Sequence, residues 1–174
     1  MRIKMNNPRP VFLVGFMGSG KTTWGRKLAS NMDRAFIDLD EEITNEANMS
    51  IPDYFSHYGE PAFRELESQV LKRLPLELPA IVATGGGTPC YFDNMSWMNK
   101  TGKTIYLYLP PKALWSRLMQ TDIPSRPALK GLSGIELLND ITSKLADRTP
   151  HYEQATHVVN QLSLKLEDLI SLAG

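Results

Sequence analysis

The 174-residue sequence predicts a single α/β domain built on a parallel β-sheet with helices on both faces. Two observations predict this class. Short apolar segments alternate with helix-compatible segments along the chain, and strands joined by helices form parallel sheets. A glycine-rich phosphate-binding motif, the P-loop, stands between the first of these strands and the first helix. A sheet of this kind binds its ligands beyond the carboxyl ends of its strands.

Five strands are predicted from short apolar runs. The first (PVFLVG) is apolar throughout, as expected of a strand that is buried on both faces. The third (PAIVAT) runs into three consecutive glycines, and the fourth (TIYLYL) is ended by two prolines. In chain order the predicted strands are Pro10–Gly15, Ala35–Leu39, Pro79–Thr84, Thr104–Leu109 and Thr156–Asn160.

Seven helices are predicted from the helix-compatible stretches between these strands. Gly59 separates the third helix from the fourth, and Pro75 ends the fourth, because proline cannot continue a helix. In chain order the predicted helices are Lys21–Met32, Glu41–Ala47, Ile51–His57, Pro61–Leu74, Lys112–Met119, Gly134–Ala146 and Leu164–Leu172.

The segment Gln120–Ser133 (QTDIPSRPALKGLS) interrupts this alternation. Its two prolines, its glycine and its lack of periodicity prevent any long helix. Loops of about this length inside compact domains are usually functional or disordered. The segment is therefore either a surface excursion or a lid that closes over a ligand.

The charge of the chain is balanced, because 19 Lys and Arg face 19 Asp and Glu. A net charge of zero excludes binding to nucleic acid or anionic lipid through a global field, so we expect neither as a partner. No apolar run approaches the ~20 residues of a membrane span, and the single Cys90 cannot form an intramolecular disulfide. We therefore expect a cytoplasmic protein and, since no long apolar stripe demands a partner, a monomer.

Residues 15–22 (GFMGSGKT) match the P-loop pattern G-x-x-x-x-G-K-[ST]. In this motif backbone N–H groups surround phosphate oxygens, Lys21 reaches the β- and γ-phosphates, and Thr22 binds Mg²⁺. The sequence therefore predicts an ATP site that contains Gly18, Ser19, Gly20, Lys21, Thr22 and Thr23.

A P-loop indicates a nucleotide but leaves the reaction open between a GTPase switch, a mechanical ATPase and a small-molecule kinase. The chain has no D-x-x-G switch, and its only Asn-Lys pair is followed by Thr-Gly instead of the x-Asp of a guanine reader. These differences argue against a GTPase. The third strand ends in glycines and lacks the Asp that usually helps to hold the metal ion in P-loop enzymes. A carboxylate for that purpose must therefore come from another segment.

The second predicted strand supplies that carboxylate in the sequence FIDLD. Asp38 and Asp40 are two residues apart, so in an extended strand both point to one side at its carboxyl end. One could help to hold Mg²⁺ through water, and the other could face an acceptor hydroxyl. Alternatively Asp40, which precedes Glu41 and Glu42, caps the following helix.

Three arginines are further candidates. Glu67 follows Arg64 by three positions, so it either holds the guanidinium in place or forms a solvated ion pair. Arg126 lies in the lid segment, where it could neutralise charge on the phosphates. Arg148 precedes Thr149-Pro150 at the predicted end of a helix, where it could bind a carboxylate through two hydrogen bonds.

Six motifs occur in an order and at spacings that resemble the shikimate kinase family. They are GFMGSGKTT, FIDLD, the FRELE after Gly59-Glu60, the GGG that ends a strand, SRP in the loop and DRTPHY near the end. The resemblance covers nearly the whole chain, roughly residues 10 to 172.

This resemblance implies phosphorylation of the 3-hydroxyl of shikimate by ATP, with Mg²⁺ as cofactor. It implies a nucleoside-monophosphate-kinase-like three-layer fold with a five-stranded parallel sheet, formed by one P-loop kinase domain over residues 1–174. It further implies a mobile lid at about 120–133 and a substrate-binding helical segment at about 41–74.

The resemblance also implies roles for single residues around the substrate. Asp40 would hold the shikimate hydroxyls and orient or accept the proton of the attacking one, and Asp38 would lie in the outer shell of Mg²⁺. Arg64 and Arg148 would clamp the substrate carboxylate. Gly86 would approach a substrate hydroxyl through its backbone. The turn would be shaped by Gly85 and Gly87, and the pocket wall by Phe55 and Phe63.

On the nucleotide side the resemblance assigns two further arginines. Arg126 would close onto the ATP phosphates and act with Lys21 in catalysis, and Arg117 is the nearest candidate for an arginine against the adenine. The family often carries arginines near the last strand, where this chain reads Asn160-Gln-Leu-Ser163. The adenine contacts thus stay unassigned apart from Arg117 and the backbone.

Two alternatives stay open at the level of the sequence. A kinase of another small acid, such as gluconate, would share the P-loop fold and would also use arginines. A nucleotide-binding regulatory domain without catalysis is the second alternative. The presence of Lys21, Thr22, Asp40 and Arg126 argues against it, because a protein that has lost its catalytic activity is expected to lose such residues first.

Overall fold

The predicted alternation of strands and helices is present in the computed structural model, which describes residues 9–76, 79–120, 131 and 134–174. The strands are β1 (Val11–Val14), β2 (Ala35–Asp38), β3 (Ala80–Ala83), β4 (Lys103–Tyr108) and β5 (His157–Asn160). The helices are α1 (Lys21–Met32), α2 (Leu39–Ala47), α3 (Ile51–Lys72), α4 (Asn94–Thr101), α5 (Pro111–Met119), α6 (Gly134–Tyr152) and α7 (Leu166–Ala173), with a short 3₁₀ turn at Thr88–Cys90.

The five strands form one parallel sheet in the order β2-β3-β1-β4-β5. Strand β1 lies in the centre, and all of its residues are buried. Its alternate side chains supply the two faces: Phe12 and Val14 pack with α2 to α6, whereas Val11 and Leu13 pack with α1 and α7. These three layers confirm the predicted fold class.

The strand order explains how distant segments meet. The P-loop follows β1, the triple glycine follows β3, and Asp38 ends β2. Because these strands are parallel neighbours, their carboxyl ends lie side by side at one edge of the sheet. The catalytic candidates therefore share the edge where open α/β sheets bind ligands.

The predicted break at Gly59 is confirmed, because its φ of 79° and ψ of 172° are not helical and separate two helices within the span labelled α3. Other predicted boundaries are wrong. Helix α6 continues six residues past its predicted end, through Pro150 to Tyr152, so Arg148 lies inside the helix. Helix α4 was not predicted at all. Arg126 and all of the predicted lid except Gln120 and Gly131 lie outside the described residues.

No helix within the described part of the chain is both long enough and apolar enough to cross a membrane.

Candidate active site

The P-loop turns through three glycines with positive φ values. Gly15, Gly18 and Gly20 have φ of 148°, 79° and 84°, a region that other residues rarely adopt. The turn brings the Ser19 N–H to the Phe16 carbonyl at 3.1 Å. The 12-residue helix α1 begins directly afterwards, so the positive end of its dipole faces the loop. This arrangement suits the binding of phosphate.

Lys21, the first residue of α1, is buried against the loop. Its Nζ donates hydrogen bonds to the carbonyl oxygens of Gly15 at 2.8 Å and Phe16 at 3.0 Å. Thr22 and Thr23 follow on the exposed side of the first helical turn. The loop thus presents a lysine, two hydroxyls and a helix N-terminus within one turn of chain.

Asp38 joins the P-loop helix to the end of β2. Its Oδ2 accepts a hydrogen bond from Thr22 Oγ1 at 2.8 Å, and its Oδ1 accepts one from the Asp40 backbone N–H at 3.1 Å. A hydroxyl and a carboxylate oxygen therefore lie together beside the loop, and oxygens of these types are the ligands that Mg²⁺ prefers.

The predicted geometry of Asp38 and Asp40 is wrong in one respect. The strand ends at Asp38, which itself caps α2, and Asp40 lies in the first turn of that helix rather than on a strand or at the cap. The reason is that Asp40, Glu41 and Glu42 are all favoured next to the positive helix N-terminus, so the helix begins earlier than predicted. Asp40 is exposed at the carboxyl edge of the sheet.

Three consecutive glycines after β3 face three different functional groups. A Cβ at Gly85 would lie 3.2 Å from Asp40 Oδ1, and one at Gly86 would lie 3.5 Å from Arg148 Nη1. At Gly87 a Cβ would lie 2.6 Å from Arg64 Nη1, closer than real Cβ atoms approach. The turn therefore brings a carboxylate and two guanidinium groups around one short stretch of backbone.

Gly86 also sets the distance between this turn and the P-loop, because its Cβ would lie 3.0 Å from the Met17 backbone nitrogen. Its carbonyl accepts a hydrogen bond from the Tyr152 hydroxyl. Tyr152 is fully buried, and burial raises the pKa of its phenol well above the usual range. The last turn of α6 is thereby attached to the glycine turn.

Arg64 is held by two carboxylates on its own helix. Its Nη1 donates to Glu67 at 2.9 Å, while its Nε and Nη2 donate to Glu60 Oε1 at 3.1 and 2.9 Å. Burial alone would lower the pKa of Arg64, but Glu67 and Glu60 outweigh it and raise that pKa. Since the Arg64 side chain is only 10% exposed and that of Glu67 only 1%, the pair is a buried ion pair and not the solvated alternative.

A buried polar network supports Glu67 from behind. Thr88 Oγ1 donates to Glu67 Oε1 at 2.6 Å, and the Thr88 carbonyl accepts from Asn94 Nδ2 at 3.0 Å. Asn94 Oδ1 in turn accepts from Ser68 Oγ at 2.7 Å. All these groups are buried, so the chain of hydrogen bonds fixes Glu67 and, through it, Arg64.

Tyr91 covers the exposed side of Arg64. Its ring centroid lies 4.4 Å from the guanidinium carbon, and its hydroxyl donates to Glu60 Oε1 at 3.0 Å. Burial would raise the pKa of Glu60, but hydrogen bonds from Arg64 and Tyr91 and the charge of Arg64 lower it. Tyr91 and Glu60 were not predicted from the sequence, although a Glu four residues before an Arg on a helix is a recognisable pairing signal.

Arg148 projects from α6 toward the same turn. Its guanidinium carbon lies 5.4 Å from the centroid of the Phe16 ring, and its Nη1 is buried without a hydrogen-bond partner among the described residues. A buried guanidinium N–H without a partner is costly. This donor is therefore suited to an anionic ligand.

Phe55 and Phe63 lie on α3 beside Arg64, with ring centroids 4.4 Å apart. Phe63 is buried and Phe55 is half-buried, so both pack into the core beside Arg64. Cys90 lies in the adjacent 3₁₀ turn, where burial raises the pKa of its thiol to about 11. The thiol is therefore neutral at ordinary pH.

On the nucleotide side, Arg117 approaches the P-loop from the last turn of α5. A Cβ at Gly20 would lie 3.5 Å from Arg117 Nη1 and 3.5 Å from Trp24 Cδ1. Both side chains donate to Oε1 of Gln161, Arg117 at 3.1 Å and Trp24 at 3.2 Å. Sequence analysis did not identify Gln161, because a lone glutamine after a strand carries no motif.

The chain is similar to one enzyme family over nearly all of its length. A family model described as shikimate kinase matches residues 17–171. A shikimate kinase of Bacteroides fragilis is 42% identical over 158 residues, which are 91% of this chain and 87% of that protein.

Solved structures agree with this similarity. The crystal structure of shikimate kinase from Bacteroides thetaiotaomicron has a TM-score of 0.85 and 37% identity, with 94% of both chains covered. A shikimate kinase from Acinetobacter baumannii, solved in complex with shikimate, has a TM-score of 0.83 and 32% identity, with 94% of this chain and 89% of that chain covered.

Proposed function

This chain belongs to the shikimate kinase family, and from that premise we propose how its own residues transfer the γ-phosphoryl group of ATP to the 3-hydroxyl of shikimate. One observation carries the assignment of residues. The three consecutive glycines after β3 adjoin Glu67 and Asp40, then Arg148, then Arg64. Because Glu67 is buried and paired with Arg64, an acceptor next to this turn would meet the exposed carboxylate of Asp40 and two guanidinium groups.

The two arginines bind the carboxylate of the acceptor. Arg64 retains N–H groups beyond those that Glu60 and Glu67 accept, and Arg148 has a buried Nη1 without a partner among the described residues. Guanidinium groups bind carboxylates through short, charge-assisted hydrogen bonds. Because Glu67 and its buried network fix Arg64, the acid is held in one orientation with little loss of side-chain entropy on binding.

Asp40 acts on the hydroxyl that attacks. Its carboxylate is exposed at the carboxyl edge of the sheet, and its Oδ1 lies beside Gly85 on the same turn. A carboxylate at this position accepts a hydrogen bond from the acceptor hydroxyl and orients its oxygen for in-line attack on the γ-phosphorus. It takes the proton as the new O–P bond forms and the bond from the γ-phosphorus to the β–γ bridging oxygen breaks, which releases ADP. Gly86 would offer its backbone to a second hydroxyl, and Phe55 and Phe63 wall the pocket.

The P-loop acts on the transferred phosphoryl group. Lys21 and the N–H groups of Gly18, Ser19 and Gly20 neutralise and orient the phosphates, and Thr23 adds a hydroxyl to the first turn of α1. Positioning and charge neutralisation supply most of the rate enhancement in phosphoryl transfer. The described residues of this loop already have the backbone form that such binding requires. Arg126, outside the described residues, would add positive charge to the phosphates.

The residues beside the P-loop fit a magnesium ion. Thr22 Oγ1 and Asp38 Oδ2, which lie 2.8 Å apart, are oxygen ligands of the kind that Mg²⁺ prefers. Thr22 would hold the ion directly, and Asp38 would hold it through water. When bound, Mg²⁺ neutralises negative charge on the β- and γ-phosphates.

The domain organisation, the oligomeric state and the cellular location complete the proposal. We propose one kinase domain that comprises the whole of residues 1–174, with its lid at about 120–133 and its acid-binding helices within about 41–74. The single cysteine favours the cytoplasm, and the lack of a long apolar stripe in the sequence favours a monomer.

An assay of ADP release with different acceptors tests the proposed function. Purified protein is supplied with ATP and Mg²⁺ and with shikimate, gluconate or water as acceptor. We expect release of ADP to depend on shikimate and to be far slower with the other two. Equal rates with shikimate and water would contradict the proposal, and a higher rate with gluconate would favour the other small-acid kinase. The Asp40→Asn protein, purified identically, controls for a contaminating kinase.

A further inference from the structure

The side chain of Gln161 joins three groups around the P-loop. Its Oε1 accepts hydrogen bonds from Trp24 Nε1 at 3.2 Å and from Arg117 Nη1 at 3.1 Å. Its Nε2 donates to the carbonyl oxygen of Ser19. An indole N–H and a guanidinium can only donate and a carbonyl can only accept, so these neighbours fix the orientation of the amide.

The backbone of Gln161 is fixed independently of its side chain. Its N–H donates to the Tyr108 carbonyl at 3.1 Å, which continues the pairing of β4 with β5, and the residue is only 7% exposed. A substitution that removes the amide therefore leaves the local backbone with its own hydrogen bond. The effect of the side chain can be separated from that of the fold.

The contact with Ser19 determines how one P-loop peptide is oriented. In a trans peptide the carbonyl and the following N–H point in opposite directions. Because the Ser19 carbonyl points at Gln161, the Gly20 N–H points to the side away from Gln161. Gly20 is the N-cap of α1 with a φ of 84°, so the Ser19–Gly20 peptide precedes the regular helix, and the Gln161 amide contacts its carbonyl there.

The contact with Arg117 holds a cation without neutralising it. Arg117 is an exposed side chain on the last turn of α5. Its Nη1 nevertheless lies 3.5 Å from the point that a Cβ added at Gly20 would occupy. An amide oxygen accepts the hydrogen bond while it leaves the charge of the guanidinium intact. A carboxylate at the same position would cancel that charge beside the phosphates.

We propose that Gln161 is a positioning residue for ATP, which orients the Ser19–Gly20 peptide and keeps Arg117 beside the P-loop. This inference rests on the proposed function, because it assigns Gln161 to the nucleotide half of the same site. It predicts that loss of the amide weakens the interaction with ATP and leaves the interaction with shikimate unchanged.

The test compares Gln161→Ala with the wild type and with Gln154→Ala, which removes an exposed amide between α6 and β5. Steady-state kinetics give KM for ATP and for shikimate, calorimetry gives Kd for ADP, and thermal unfolding reports the fold. Loss of a hydrogen bond to a charged group should raise the KM for ATP and the Kd for ADP by about tenfold. The KM for shikimate should stay within about twofold, and Gln154→Ala should match the wild type.

A second variant, Gln161→Glu, separates positioning from packing. The carboxylate keeps the size of the side chain and can still accept from Trp24 and Arg117, but it cannot donate to Ser19 and it neutralises Arg117. We expect its KM for ATP to rise at least as much as that of Gln161→Ala.

Three results would overturn the inference. They are a wild-type KM for ATP in Gln161→Ala, an equal rise of both KM values, and a wild-type KM for ATP in Gln161→Glu. Failure of the proposed function is distinguishable, since the wild-type protein itself would then release no ADP in response to shikimate.

Discussion

Gly87 offers a direct test of how the triple glycine positions Arg64. Its φ of −91° and ψ of −16° are open to any residue, so alanine adds no backbone strain there. The added Cβ would instead lie 2.6 Å from Arg64 Nη1 and 2.7 Å from Nη2. Gly87→Ala therefore changes one contact, between a methyl group and the guanidinium that binds the acid.

The size of the effect follows from these distances. Ordinary contact begins at 3.4 Å, so the guanidinium must move by about 0.8 Å, and Glu67 and Glu60 oppose that movement. A misplacement of about 1 Å in a binding group costs about 100-fold in rate, or about 2.7 kcal/mol. We expect kcat/KM for shikimate to fall by about that factor while the KM for ATP stays unchanged.

A double-mutant cycle provides the control. Steady-state kinetics with shikimate and with ATP as the varied substrate are measured for Gly87→Ala, Arg64→Ala and the double variant, together with thermal unfolding. In the Arg64→Ala background the methyl group meets no guanidinium, so Gly87→Ala should have almost no further effect. A full additional loss in that background, or a wild-type kcat/KM for Gly87→Ala, would refute the reasoning.

Four further changes probe other parts of the site. Asp40→Asn should lower kcat by about 10²- to 10⁴-fold while Kd for ADP stays within about twofold, and a large loss of ADP affinity in calorimetry would move Asp40 to the nucleotide side. Arg148→Ala should raise the KM for shikimate by about 10- to 100-fold and leave the KM for ATP unchanged; the reverse pattern in steady-state kinetics would reassign this arginine. Glu67→Gln breaks a buried ion pair with Arg64, so the free energy of unfolding should fall by about 3 kcal/mol and the Tm by about 6–12 °C. An unchanged Tm in thermal unfolding would contradict the buried pairing. Cys90 has a pKa raised to about 11 by burial, so its alkylation by iodoacetamide should be slow at pH 8 and accelerate as pH rises toward that value, and fast alkylation at pH 8 would contradict its burial.

The sheet and the P-loop could be predicted because their signals are local. A strand buried on both faces must be apolar throughout, as β1 is, and the glycines of the loop are required by positive φ values at Gly15, Gly18 and Gly20. Strands joined by helices run parallel, which brings their carboxyl ends together, but the order β2-β3-β1-β4-β5 was not predicted.

The helix boundaries depended on contacts that sequence does not encode locally. Pro150 is unfavourable inside a helix, but Tyr152 beyond it is fully buried and donates to the Gly86 carbonyl. This tertiary contact extends α6 past the proline and so keeps Arg148 within a helical turn. Helix α4 was missed for a related reason, since it is fixed by the burial of Asn94, Met95 and Met98.

The support of the site was the least predictable part. Glu67 was recognised as a partner of Arg64, but Thr88 and Asn94, 21 and 27 residues further along the chain, complete the network that holds it. Gln161 lies 142 residues from the serine whose carbonyl it contacts. Such contacts arise only when the sheet assembles, so neither spacing nor periodicity reveals them.

The most direct measurement of the central claim is the fate of a labelled γ-phosphate. ATP labelled at that position is incubated with the protein, Mg²⁺ and shikimate, and the products are separated and examined by nuclear magnetic resonance. We expect one labelled organic product, shikimate phosphorylated on its 3-hydroxyl, formed in step with ADP and formed about 10²- to 10⁴-fold more slowly by Asp40→Asn. Label recovered only as inorganic phosphate, or on another position of the acceptor, would contradict it.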